Sequence, residues 1–89
     1  MLSRYRVSMR KIKEVVQAVA NHGGSCTFSY DALGLSLAEF QAVVKLIRDA
    51  ETRGFLVVHS DHESSRGEGI DSIVVESLTE SGLALLKAV

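Results

Sequence analysis

Between Met9 and Asn21 the apolar residues Ile12, Val15, Val16, Val19 and Ala20 recur at intervals of three and four, which places them on one helical face. Ser8 suits the N-cap of this helix, with Val7 and Ile12 as a hydrophobic staple across it. Asn21-His22-Gly23-Gly24 stops it, because glycine takes the left-handed terminal geometry cheaply. Ser25-Cys26-Thr27-Phe28 is short and β-prone. Ser29 then caps a single short turn through Tyr30-Asp31-Ala32-Leu33, closed by Gly34. Ser36-Leu37-Ala38-Glu39 is an S-x-x-E capping box, and the helix it opens runs to about Arg53, with Gly54 as terminator. Its buried stripe is Leu37, Phe40, Val43, Val44, Ile47 and Ala50 or Glu51. Two helical segments separated only by Gly34-Leu35-Ser36 must turn sharply, which predicts a helix-turn-helix.

Phe55-Leu56-Val57-Val58-His59 reads as a strand, and residues 60–69, rich in glycine, serine and acids, as a mobile loop. Ile70 to Ser77 is a second strand, able to pair antiparallel with the first. Leu78-Thr79-Glu80-Ser81 starts a last helix, capped by Thr79 and stapled by Leu78 and Leu83, with Leu83 and Leu86 facing inward and Leu85 either inward or exposed. The expected order is helix, short strand, helix, helix, strand, long loop, strand, helix.

That order, with Gly34-Leu35-Ser36 before the third helix, Arg53-Gly54-Phe55-Leu56 after it and Leu78-Thr79-Glu80-Ser81-Gly82 opening the last, resembles the winged helix-turn-helix domains over about residues 8–89. The stretch from Tyr30 to Phe40, taken with those two segments, looks like the small, often phage-associated YjcQ-like proteins, whose function is generally unassigned. The chain differs from them in a longer third helix and a longer, more acidic wing. The resemblance implies an α+β fold: a three-helix core, a two- or three-stranded antiparallel β-wing and a C-terminal helix. It also implies a DNA-binding module whose third helix enters the major groove.

Composition agrees with one folded domain. The chain has 89 residues, 46% of them hydrophobic and 24% charged, enough for a single core. Residues 1–8 read as a basic arm and residues 9–89 as the domain, with the wing loop near residues 60–69. The single cysteine, Cys26, excludes an internal disulfide framework and fits a reducing, cytoplasmic setting. No apolar run approaches the roughly 20 residues of a membrane span, and no signal-peptide pattern follows the basic start, so no membrane role is expected.

Net charge is −1, yet the charges are segregated. Arg4, Arg6, Arg10, Lys11 and Lys13 lie within the first 13 residues without an acid, while the remaining 76 residues carry five basic and eleven acidic side chains. Positive charge at a helix N-terminus opposes the macrodipole, so these residues are not explained by helix stability. They suit phosphate contact, as an arm plus the first turn of a helix, and equally an exposed soluble tail or an arm docked on the acidic wing of a second copy.

On the third helix Gln41, Lys45 and Arg48 lie opposite the buried stripe. Gln41 has the chemistry to bond adenine edges, Arg48 to fork to guanine and Lys45 to meet phosphate, although any surface helix presents a solvated face. Glu39 and Asp49 flank that face. In the wing, Asp61, Glu63, Glu68 and Asp71 oppose only Arg66, the one side chain there suited to a groove.

His59, Asp61 and His62 carry metal-ligand chemistry, but without a converging motif such as H-E-x-x-H they read as surface residues, and no metal or cofactor is expected. Cys26 has His22 four residues earlier, across a helix stop, and reads as a small buried hydrophobe rather than a nucleophile. With no G-x-S-x-G and no phosphate-cradling glycine loop, the chain reads as a non-enzyme. The leading expectation is a small regulator that binds double-stranded DNA, with a homodimer as the natural way to double its footprint. Its interface would involve helix 1, the arm or the last helix, where Leu85 and Val89 are candidates for exposure. The rival is a protein-interaction module whose acidic wing engages a basic partner.

Overall fold

The computed structural model describes residues 10–87. Six elements follow in the order α1 (Ile12–Asn21), β1 (Cys26–Ser29), α2 (Leu37–Thr52), β2 (Leu56–Glu63), β3 (Ile70–Leu78) and α3 (Glu80–Lys87). The three strands form one antiparallel sheet in the order β1-β3-β2. The fold is a small α+β arrangement in which α1 and α2 bury their apolar stripes against one face of that sheet. Val15, Val16 and Val19 of α1 meet Phe40, Val43, Val44, Ile47 and Ala50 of α2 in one core, floored by Phe28, Leu56, Ile73 and Val75. Because side chains alternate across a strand, Thr27, Ser29, Ser72 and Val74 fall on the other face of the sheet.

The helix order differs from the expected one. Among the described residues there are three helices, α3 included, because the segment between β1 and α2 is a turn and not a helix. Leu33 N–H reaches Ser29 O at 3.2 Å, Gly34 N–H reaches Asp31 O, and Leu35 N–H returns to Tyr30 O at 2.9 Å. Five residues closed by a positive-φ glycine make one turn and no more, since a helix must propagate beyond its costly nucleus to persist.

The start of α1 is also later than Met9. Lys11 is the N-cap, and the Glu14 carboxylate accepts the backbone N–H groups of Arg10 (2.8 Å) and Lys11 (2.9 Å), so the end is capped from within the first turn. Ser8 and Val7, read as cap and staple, lie outside the described residues. At the other end Gly24 N–H bonds Val19 O, the glycine stop read from the sequence.

α2 follows its sequence signals. Ser36 Oγ accepts Glu39 N–H at 3.1 Å, Glu39 Oε1 accepts Ser36 N–H at 2.9 Å, and Gly54 at φ +79° follows the C-cap Arg53. β2 is longer than residues 55–59: it continues through Ser60, Asp61 and His62, paired with Val74, Ile73 and Ser72, as far as Glu63. The polar residues continue the strand because β3 offers a ladder alongside them, and breaks in register near Val58 and after His62 absorb the mismatch. The connecting loop therefore shrinks to residues 64–69. Ser64 pins it, donating its N–H to Gly69 O and accepting Glu68 N–H on Oγ.

α3 is capped by Thr79 as read, through Gly82 N–H to Thr79 Oγ1 at 3.0 Å. Its inward face is rotated from the expected one: Gly82 is buried, Leu85 and Leu86 pack partly on the core, and Leu83 is 48% exposed. The reason is steric. A Cβ on Gly82 would lie 2.1 Å from the Phe55 carbonyl oxygen, so the helix sits with its glycine against that backbone and carries Leu83 outward.

Candidate nucleic-acid interface

The outward ridge of α2 follows from its buried one. With Phe40, Val43, Ile47 and Ala50 facing the core, Ala38, Ala42, Lys45 and Thr52 are exposed along the opposite side. Gln41 and Arg48 sit between these two sides, where α2 passes the β2–β3 hairpin, and both are engaged there.

Gln41 clamps the hairpin's base. Its Nε2 donates to Ile70 O (2.8 Å) and Leu37 O (2.9 Å), and its Oε1 accepts Ile70 N–H at 3.0 Å. The amide thus acts like a short piece of strand paired with the first residue of β3. Bidentate contact to adenine would require breaking that pairing.

Arg48 is held by two carboxylates. Nη1 lies 3.3 Å from Glu51 Oε1, and Nη2 bonds Asp61 Oδ2 on β2. Glu51 is anchored in turn, because its other oxygen accepts the Val58 N–H at 3.2 Å. The guanidinium therefore ties α2 to β2, and its charge is more than balanced locally. The hairpin as a whole carries Asp61, Glu63, Glu68 and Asp71 against Arg66, a balance of −3.

Lys45 stands apart from this arrangement. It is exposed, forms no ion pair among the described residues, and lines a shallow groove with Arg10, Ala42, Leu46 and Asp49. The start of α1 thus brings Arg10 beside the ridge of α2. Lys11 and Lys13 are exposed one turn or less away on α1, whereas Arg4 and Arg6 lie outside the described residues. Asp49 is the acid within the groove. The Lys45–Asp49 and Asp49–Arg53 pairs allowed by the spacing do not form among the described residues.

Arg66 is exposed at the hairpin tip. The histidines and acids read as possible ligands have separate partners: His62 Nδ1 is 2.8 Å from Asp71 Oδ1, His59 Nδ1 is 3.1 Å from Ser60 Oγ, and Asp61 holds Arg48. Among the described residues no group of three or more His, Cys, Asp or Glu side chains converges as a metal site. Cys26 lies in the core, and its burial pushes the thiol above its ordinary range. Among the described residues no helix is long and apolar enough to cross a membrane.

The Gln41 clamp and the Arg48 tether were not in the sequence reading. Gln41 was read as a polar residue opposite the stripe, and no local pattern announces a partner 29 residues later. Comparison with protein-family models, with curated proteins and with solved structures finds no match for this chain.

Proposed function

We propose that this domain is a non-enzymatic duplex-DNA-binding module of winged-helix type, a small transcriptional regulator in which α2 faces DNA and the β2–β3 hairpin is the wing. The observation that carries the reading is the groove shared by Arg10 and Lys45. It brings Arg10 beside Lys45 on the exposed ridge of α2, and in this reading both meet phosphate, while Lys11 and Lys13, in a neighbouring groove on α1, and the arginines Arg4 and Arg6 of the basic start add further phosphate contacts. Such contacts give sequence-independent affinity and orient the module on a duplex. Within this reading Lys45 keeps the phosphate role expected from its position. Gln41 is the clamp of the wing, and two copies would double the footprint.

A second reading is favoured by the charge around Arg48. Two carboxylates on one guanidinium, with Glu63 and Glu68 exposed beyond them, make the hairpin side of α2 a surface for a cationic protein partner.

Fluorescence anisotropy separates the two. The protein is titrated against a labelled random-sequence duplex and, separately, against a labelled lysine- and arginine-rich peptide, at about 50 and 150 mM salt. DNA binding predicts saturable duplex binding that weakens with salt, and weaker binding by Lys45→Glu. Peptide binding without duplex binding would replace the proposal with the second reading.

A further inference from the structure

Arg48 lies one helical turn from Lys45 on α2, close to the proposed phosphate patch yet turned onto the hairpin. We infer that the Arg48–Asp61 contact is an autoinhibitory lock, by which the wing withholds a cation from the DNA-facing side of α2; this rests on the DNA-binding reading above. Three observations support it. Asp61 falls on the face of the sheet turned toward α2, paired with Ile73, whose side chain is fully buried. Glu51, the second carboxylate on Arg48, is itself fixed by the Val58 backbone, so the guanidinium meets a preformed acceptor on the strand side. The side chains remain accessible, Arg48 at 44% and Asp61 at 32% exposure, so the contact is open to competition from a phosphate.

Accessibility also sets the strength. A partly exposed ion pair is worth at most about a fivefold factor in an equilibrium, which a bidentate guanidinium–phosphate contact can match. The lock thus lowers affinity for any polyanion without preventing release. Gln41 holds the base of the same hairpin through Ile70, so the wing stays in place when the Arg48 contact opens.

The test compares two variants with the same change in charge. Asp61→Asn neutralises the β2 carboxylate that bonds Arg48, whereas Glu63→Gln neutralises an acid two residues further along β2 that has no such contact with Arg48. Each is made with Arg48 present and as a double variant with Arg48→Gln, and circular dichroism melting verifies that all fold. Affinity for the labelled random duplex is measured at about 50 and 150 mM salt. The lock predicts that Asp61→Asn tightens binding by about fivefold beyond Glu63→Gln. It also predicts a steeper salt dependence by about one phosphate contact, and loss of both gains in the Arg48→Gln background. Equal gains from the two neutralisations, or a gain that persists without Arg48, would overturn the lock while leaving DNA binding by the wild-type protein intact. Failure of the wild type and of every variant to bind duplex would overturn the DNA reading, and the lock with it.

Discussion

Gln41 and Gly69 show how one side chain fixes the base of the β2–β3 hairpin. Gly69 has φ +125°, and a Cβ there would fall 2.6 Å from the Gln41 Cδ, so both its backbone and its lack of a side chain are required. Gly69→Ala is therefore expected to cost about 1–3 kcal/mol of folding stability by urea denaturation. Gln41→Ala, which strips the Ile70 N–H and C=O of their partners, is expected to cost a similar amount. The double variant should lose less than the sum, because the first substitution harms partly through the second residue. At Cys26 the raised thiol and buried position predict slow native alkylation by iodoacetamide, rising to a free-thiol rate in urea. A native rate equal to the unfolded one would contradict that burial. The role of Cys26 as a small core residue was legible from its type and its β-prone setting. The role of Gln41 was not, because the sequence displays its polarity and not its distant partner.

At the scale of elements, local chemistry and tertiary pairing divide the outcome. The Ser36/Glu39 box, the Gly54 stop, the Thr79 cap and the stripe of α2 were all readable because each depends on neighbours within four residues. The length of β2 was not, since Ser60, Asp61 and His62 are strand residues only by virtue of β3 beside them. The turn at residues 30–34 has the N-cap serine and terminal glycine of a helix but too few residues to become one. Gly82 supplies a test at this scale. In an exposed helix interior glycine to alanine is favourable by about 1 kcal/mol, through propensity alone. Gly82→Ala is expected to reverse that sign, because the new methyl meets the Phe55 carbonyl and must push α3 off the β2 approach. A higher melting temperature for this variant would refute the packing described for α3.

For the whole molecule the decisive property is charge segregation. The first 13 residues are wholly basic among their charged positions, and the hairpin side of α2 is net acidic. This segregation was visible in the sequence, but its consequence was not. The expected reading face of Gln41, Lys45 and Arg48 is divided by the β2–β3 hairpin, and only Lys45 is left beside Arg10. The described body measures 37 × 32 × 19 Å. The most direct test of the central claim is a backbone amide NMR titration of the isotope-labelled 89-residue chain with a random-sequence duplex at about 50 mM salt. The account predicts salt-sensitive shifts concentrated at Arg10 to Lys13 and around Lys45. Shifts confined to the hairpin between Asp61 and Asp71, or none at any duplex concentration, would contradict it.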